Sequence, residues 1–179
     1  MGVDPLNRAV FLDRDGVINQ ALVRNRLPFS PANAAEFKWV EGIHAVSQQI
    51  VSSGFDIFCV TNQPDVGRGL QERAVVEVLH QMVQDELPIK KIYVCYHDGA
   101  SPCDCRKPKP GLLLQAAEEF ELELAKSWLV GDRWKDIDAG KAAGCRTIFL
   151  DYDYDEKLRS PPNHVIGSIH EVADLICSS

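Results

Sequence analysis

Ala9-Val-Phe-Leu-Asp13-Arg-Asp15-Gly16-Val-Ile-Asn19 reads as a buried strand that delivers two carboxylates to its C-terminal edge. Four consecutive apolar residues fit a strand covered on both faces, as in a parallel sheet. The glycine directly after the second aspartate marks a sharp turn. Open α/β sheets hold their chemistry at that edge. One carboxylate can there attack a phosphorus atom while the other moves protons, and a divalent cation can neutralise the collected charge. An Asp-Gly turn that merely closes a strand has the same local sequence, so the rest of the chain has to decide.

Outward from this strand, apolar runs at 56–60, 91–95, 127–130 and 147–150 predict further strands, with a weaker one including 164–166. Helices are expected at 42–53, 71–87, 111–121, 135–143 and 168–177. In the second of these, Ala74, Val75, Val78, Leu79 and Met82 recur at helical spacing and are expected to pack on the sheet. Alternation of strand and helix implies parallel strands joined by right-handed crossovers, a doubly wound, Rossmann-like α/β fold. Residues 20–35, with Pro28 and Pro31, exceed an ordinary βα turn and suggest a small flap or hairpin over the active edge. Residues 151–162, with repeated Asp-Tyr pairs and Pro161-Pro162, read as a surface loop. No composition break separates a second domain, so 1–179 is expected to form one.

A formal net charge of -7 disfavours a nonspecific nucleic-acid binder. No apolar stretch approaches the roughly 18–20 residues needed to span a bilayer. Met1-Gly-Val-Asp-Pro5 lacks the basic and apolar regions of a signal peptide, and Leu6 stands where a myristoylation signal carries Ser or Thr. A cytoplasmic location, no membrane contact and a monomeric chain are the resulting expectations. In that compartment the 6 cysteines argue against disulfides. Cys59 in an apolar run, Cys145 after the helix-ending Gly144, and Cys177 near the tail are expected as small core or terminal residues.

The second strand runs into Thr61-Asn62-Gln63, a hydroxyl and two amides that can donate to phosphate oxygens without adding charge. Gly67-Arg68-Gly69 follows as a flexible, basic segment. Cys95-Tyr-His97-Asp-Gly-Ala-Ser-Pro-Cys103-Asp-Cys105 then brings three sulfurs and an imidazole together, a donor set suited to tetrahedral zinc. Both Cys-x-His and Cys-x-Cys can chelate from extended chain, and Gly99 with Pro102 lets the loop reverse. Four protein ligands leave no open position for water, so such a zinc is structural; free thiols in a loop are the alternative. Arg106-Lys107-Pro108-Lys109-Pro110-Gly111 opens the next helix, with Pro110 suited to the first turn. A metal-pinned loop is a rigid platform for setting Arg106 and Lys107 over an anion, and a solvated basic patch is the plainer reading. The fourth strand ends in Gly131-Asp132, with Asp136 one helical turn further on. Magnesium, a hard ion, fits such carboxylates together with water and phosphate. Asp132 alone also suits a helix N-cap, and Asp138 is expected to face solvent.

With Asp13-Arg-Asp15-Gly16, Thr61, Lys107 and Gly131-Asp132…Asp136 in this order, the chain resembles the haloacid dehalogenase (HAD) superfamily of phosphohydrolases. Thr61-Asn62-Gln63, the Cys/His loop and Cys105-Arg-Lys-Pro108 are similar to the branch holding heptose-bisphosphate 7-phosphatases and histidinol-phosphatases. That branch lacks a large cap domain. The resemblance implies Mg²⁺-dependent hydrolysis of a small sugar phosphate, a heptose bisphosphate first among them. Asp13 would attack phosphorus and form an aspartyl-phosphate; Asp15 would protonate the leaving alkoxide and then activate water. Mg²⁺ would bind the carboxylates of Asp13 and Asp132 and the backbone carbonyl of Asp15, with Asp136 in support. Thr61 and Lys107 would hold phosphoryl oxygens, and Asn62 and Arg106 would help place the substrate. Cys95, His97, Cys103 and Cys105 would bind Zn²⁺.

Two departures border the expected sugar site: Arg133 stands where the heptose enzymes carry Lys, and Pro64-Asp65-Val66-Gly67 replaces their Ser-Gly-containing loop. The Cys/His loop is also short. A receiver-type phosphoacceptor domain shares the acids, Thr and Lys, but explains neither a second aspartate two positions after Asp13 nor the Cys/His loop. A polynucleotide 3′-phosphatase is disfavoured by the acidic charge and the lack of a basic stripe.

Overall fold

In the computed structural model, which describes residues 7–177, the first strand sits near the middle of a six-stranded sheet. The N-terminal residues read for targeting signals lie outside the described residues. In chain order the strands are β1 (Ala9–Leu12), β2 (Leu22–Arg24), β3 (Leu27–Phe29), β4 (Asp56–Asn62), β5 (Ile89–Cys95), β6 (Trp128–Gly131), β7 (Arg146–Leu150) and β8 (His164–Ile166). The helices are α1 (Ile43–Ser52), α2 (Pro64–Gly67), α3 (Arg73–Glu86), α4 (Gly111–Phe120), α5 (Trp134–Ala143) and α6 (Glu171–Cys177).

The sheet order is β5-β4-β1-β6-β7-β8, parallel throughout. After β5 the chain returns to the other side of β1, which makes the C-terminal edge around β1 the crevice where such sheets bind ligands. Pairing of Leu12 with both Cys59 and Val130 aligns three strand ends there. Every residue of β1 is buried, because helices cover both faces. Val10, Leu12, Ile57 and Val130 join one apolar cluster with Ile43 and Ile50 of α1, Leu79 and Val83 of α3, and Val172 of α6. Phe11, Phe58, Val60 and Leu129 alternate onto the other face, against Leu112, Leu113 and Ala116 of α4 and Ala139 of α5. Each fully buried large apolar side chain contributes roughly 1.5–3 kcal/mol.

The long segment after β1 does form a hairpin, β2–β3, closed by Asn25 and Arg26. Both tip residues have positive φ, the geometry of a two-residue turn whose twist matches its strands. Arginine is a costly occupant of that conformation. Arg26 is held there by the 151–162 loop: its Nη2 donates to Asp153 O and Oδ2, each at 3.0 Å, and its carbonyl accepts from Asp155 N at 2.9 Å.

Four expectations need correction. The buried stripe of α3 is Val76, Leu79, His80 and Val83, whereas Ala74 and Val78 are exposed; a buried polar histidine disguises the true stripe. The Pro64 turn is a short helix, and β4 runs on to Asn62, so Thr61 and Asn62 belong to the strand. Pro110 stands at the cap just before α4. Asp138 is half-buried rather than solvent-facing, with Oδ1 enclosed and without a hydrogen bond. Cys59 and Cys145 are buried and Cys177 is exposed, and no cysteine is in a disulfide. No helix among the described residues is long and apolar enough to cross a membrane.

Candidate active site

Two glycines decide how closely the acidic residues gather. Asp13 continues the β1 ladder, its N–H donating to Val130 O at 3.0 Å. Gly16 follows with φ of 96°, and a Cβ there would overlap the Asp132 carboxylate. A side chain at Gly131 would likewise overlap Asp136. Only residues without a Cβ let these carboxylates come so near the chain. Asp13, Asp132 and Asp136 consequently offer oxygens that all lie within 4.8 Å of one another.

Lys107 enters this cluster from the loop before α4. Its buried Nζ donates to Val60 O at 2.8 Å, Asp13 Oδ1 at 2.8 Å and Asp136 Oδ1 at 2.6 Å. Burial opposes its charge, but Asp13 and Asp136 outweigh burial and hold it protonated. Burial, then the Asp136 charge, pushes the Asp13 carboxyl up to about 7, with Lys107 pulling the other way. Asp132 is raised well above the carboxylate range by burial first, then by Asp13 and Asp136, with Arg133 and Tyr154 offsetting part of this. It is 1% exposed, and neither of its oxygens has a hydrogen bond of acceptable geometry. One ammonium does not balance three buried carboxylates, and orphaned buried oxygens are costly. The donor set is all oxygen, so these residues fit a hard divalent cation.

Asp15 is treated in the opposite way. Burial would raise it, but the Arg14 guanidinium and hydrogen bonds from Ser30, Gln63 and Asn19 together bring it below its ordinary value. Ser30 Oγ donates to Oδ2 at 2.7 Å, Gln63 Nε2 to Oδ2 at 2.9 Å, and Asn19 Nδ2 to Oδ1 at 3.0 Å. Thr61, at the end of β4, is buried, and its Oγ1 accepts from Gln63 Nε2 at 2.8 Å. Asn62 binds the Lys107 backbone at both ends, donating to its carbonyl at 3.0 Å and accepting its N–H at 3.1 Å. Arg106 Nη1 donates to His97 O at 2.8 Å. Arg133 pairs with Glu156 of the 151–162 loop, so that loop braces the site as well as covering the surface.

Asp13, Asp15, Lys107 and Asp136 form the floor of a cavity of about 470 Å³, whereas Thr61 is buried behind it and Asp132 borders a neighbouring cavity with Tyr154 and Glu156. Arg68, Arg106, Arg133 and Lys135 stand around the first cavity, a cationic rim on an acidic chain. Phe29 of the hairpin and Leu70 add apolar wall.

The Cys/His loop folds its four donors together. Cys95 Sγ lies 3.4 Å from His97 Nδ1, 3.8 Å from Cys103 Sγ and 3.0 Å from Cys105 Sγ, and Cys105 Sγ lies 3.3 Å from His97 Nδ1. Tetrahedral Zn²⁺ with bonds of about 2.0–2.3 Å has donor-to-donor edges of roughly 3.4–3.8 Å. Without an ion, burial pushes the Cys95 thiol up to about 12.

The candidate catalytic, substrate and metal residues read from the sequence lie at this edge or in the adjoining Cys/His loop, whereas Cys145 and Cys177 lie away from both. Sequence reading missed Arg14, Ser30, Asn19, Lys135 and Glu156. Arg14 alone had a local signal: an arginine between two acids at a buried strand end needs an ionic partner.

Residues 104–172 match the HAD-hydrolase-like family. A Helicobacter pylori protein named D-glycero-beta-D-manno-heptose-1,7-bisphosphate 7-phosphatase is 35% identical over 152 residues, 80% of this chain and 83% of that one. A Campylobacter jejuni relative, named for the alpha anomer of the same bisphosphate, is 32% identical over 148 residues, 80% of this chain and 81% of its own. In fold, the chain is similar to a B. bronchiseptica D,D-heptose 1,7-bisphosphate phosphatase crystallised with magnesium and phosphate. The TM-score is 0.81 at 24% identity, over 96% of this chain and 98% of that one.

Proposed function

The chain belongs to the HAD-like hydrolases, and from that membership we propose that it is a Mg²⁺-dependent phosphatase removing the 7-phosphate of D-glycero-D-manno-heptose 1,7-bisphosphate. One observation carries the reading: a carboxylate cluster holding one buried ammonium opens onto a cavity rimmed by cations. A phosphomonoester meets the floor, and a second phosphate on the same small molecule meets Arg68, Arg106, Arg133 or Lys135.

Asp13 attacks phosphorus in line with the departing alkoxide and becomes an aspartyl-phosphate. Lys107 and Thr61 stabilise the charge on the phosphoryl oxygens, and Asn62 fixes the backbone from which Lys107 reaches in. Asp13, Asp132 and the Asp15 carbonyl, with Asp136 in support, would hold Mg²⁺, which would neutralise the collected negative charge and favour the ionised form of Asp13. Asp15 handles the proton. The Arg14 guanidinium holds the Asp15 carboxyl below its ordinary value, favouring the ionised form that draws a proton from the hydrolytic water. An arriving phosphoryl dianion raises its proton affinity by like-charge repulsion, the direction needed to protonate the leaving alkoxide. The combined stabilisation has to be large, since monoester hydrolysis calls for rate gains of up to about 10²¹-fold. Cys95, His97, Cys103 and Cys105 would hold a structural Zn²⁺, which would stiffen the loop that carries Arg106.

Phosphate release from both anomers of the bisphosphate and from histidinol phosphate tests this. The expected result is a kcat/KM at least tenfold higher for one heptose anomer. Preference for histidinol phosphate would overturn the substrate, and absence of Mg²⁺-stimulated turnover of any phosphomonoester would overturn the chemistry. Asp13→Asn is expected to fold normally and lose turnover.

A further inference from the structure

Arg14 has no solvent exposure, so its permanent charge and its N–H groups must be met inside the protein. One edge of the guanidinium faces Asp15: Nε donates to Oδ1 at 3.1 Å, and Nη2 to Oδ1 at 2.9 Å and Oδ2 at 3.0 Å. Nη2 also reaches Gln63 Oε1 at 3.1 Å. The far corner, Nη1, lies 3.1 Å from His80 Nε2 on α3. Arginine cannot accept, so His80 Nε2 must, which places the imidazole proton on Nδ1. Burial and the Arg14 charge both favour that neutral ring, holding His80 down to about 3.

We propose that His80 is a positioning residue for Asp15, its Nε2 lone pair fixing the far corner of the Arg14 guanidinium so that the near edge holds the Asp15 carboxylate in line for proton transfer. This rests on the phosphatase reading, in which Asp15 serves the proton steps. A guanidinium is planar, so contacts at Nε, Nη2 and Nη1 fix its plane as well as its position. Gln63 extends the strut: its Nε2 bonds both Asp15 Oδ2 and Thr61 Oγ1, tying the proton-transfer group to a phosphoryl-binding hydroxyl. Removing the His80 acceptor leaves a buried N–H unsatisfied, and the guanidinium then turns toward other acceptors. Asp15 turns with it, and proton transfer is steeply sensitive to such displacement.

The test compares His80→Leu with His80→Gln in the full chain, reading kcat and KM for phosphate release alongside thermal unfolding. His80→Leu is expected to lower kcat at least tenfold with KM within threefold, because substrate contacts are untouched. His80→Gln, whose amide oxygen accepts in place of Nε2, is expected to keep kcat within threefold. A residue that only fills the helix–sheet interface would give the reverse order, since leucine packs there better than glutamine. Nitrogen-15 spectra of the unaltered protein supply a readout that needs no variant: Nδ1 protonated and Nε2 bare. A ring protonated on Nε2, or a folded His80→Leu with unaltered kcat, overturns the proposal. Failure of the phosphatase reading looks different: the unaltered protein itself turns nothing over.

Discussion

Lys107 Nζ lies 2.6 Å from Asp136 Oδ1, and both side chains are buried beneath the cavity floor. Asp136 is itself fixed, its Oδ2 accepting the Arg133 N–H at 3.0 Å. The first turn of α5 therefore anchors the ammonium that also reaches Asp13. Asp136→Asn keeps the acceptor for Arg133 and removes the charge that holds Lys107. An approximately 10- to 100-fold loss in kcat/KM is expected, the usual scale for a residue supporting a metal site, with a right-shifted Mg²⁺ activation curve. Steady-state kinetics across Mg²⁺ concentration check this; an unshifted curve at full activity would show that Asp136 anchors nothing the reaction needs.

The carboxylate cluster sets the pH dependence of stability in metal-free protein. Asp13 has its proton affinity raised to about 7, and Asp132 is raised in the same direction. Between the ordinary carboxylate range and about 7 the folded protein thus binds more protons than the unfolded chain, so stability falls as pH rises through that window. The slope is up to about 1.4 kcal/mol per pH unit for each proton. Asp15, lowered, acts oppositely: its contribution is present above the ordinary carboxylate range and is lost as pH falls through its depressed value. Metal-free protein should unfold at its highest temperature near mildly acidic pH and at lower temperatures above neutrality. Saturating Mg²⁺ should flatten the neutral limb. Thermal scans with chelator and with Mg²⁺ read both effects, and identical profiles would mean that the acids are not compensated by the ion.

Much of this arrangement was legible in the chain because the sheet is buried on both sides. Continuous apolar runs such as Ala9–Leu12 mark parallel strands, and the polar residues directly after them mark the working edge. Asp13, Thr61 and Asp132 therefore stood out by position. His80 and Ser30 did not, because each acts across a tertiary contact: His80 reaches Arg14 from α3, and Ser30 reaches Asp15 from the far end of the hairpin. Their neighbours in sequence carry no trace of that role. The rotated face of α3 has the same origin, since a histidine in a core stripe looks polar until its buried partner is known.

Gly16 carries a sharp expectation. Its φ of 96° disfavours any L side chain, and a Cβ would strike the Asp132 carboxylate. Gly16→Ala should cost about 1–3 kcal/mol of stability from the backbone alone. Displacing Asp132 should also weaken Mn²⁺ binding at least tenfold, measured by titration followed with electron paramagnetic resonance. Native affinity in the variant would mean that Asp132 is not a ligand.

Zinc loss should affect substrate capture more than chemistry, because the two cations of the loop are anchored differently. Arg106 is tied to His97 O, within the Cys/His loop itself, so its place depends directly on that loop. Lys107 is held from elsewhere: Asn62 grips its backbone, and Val60, Asp13 and Asp136 receive its ammonium. Cys103→Ser should therefore lower zinc content from near one per chain, lower the unfolding temperature, and raise KM for the bisphosphate at least tenfold. kcat should fall less than KM rises. Elemental analysis paired with kinetics on the same preparations separates the effects. A kcat that collapses at unchanged KM would mean that the loop positions Lys107 rather than Arg106, and unaltered protein free of zinc would remove the metal altogether.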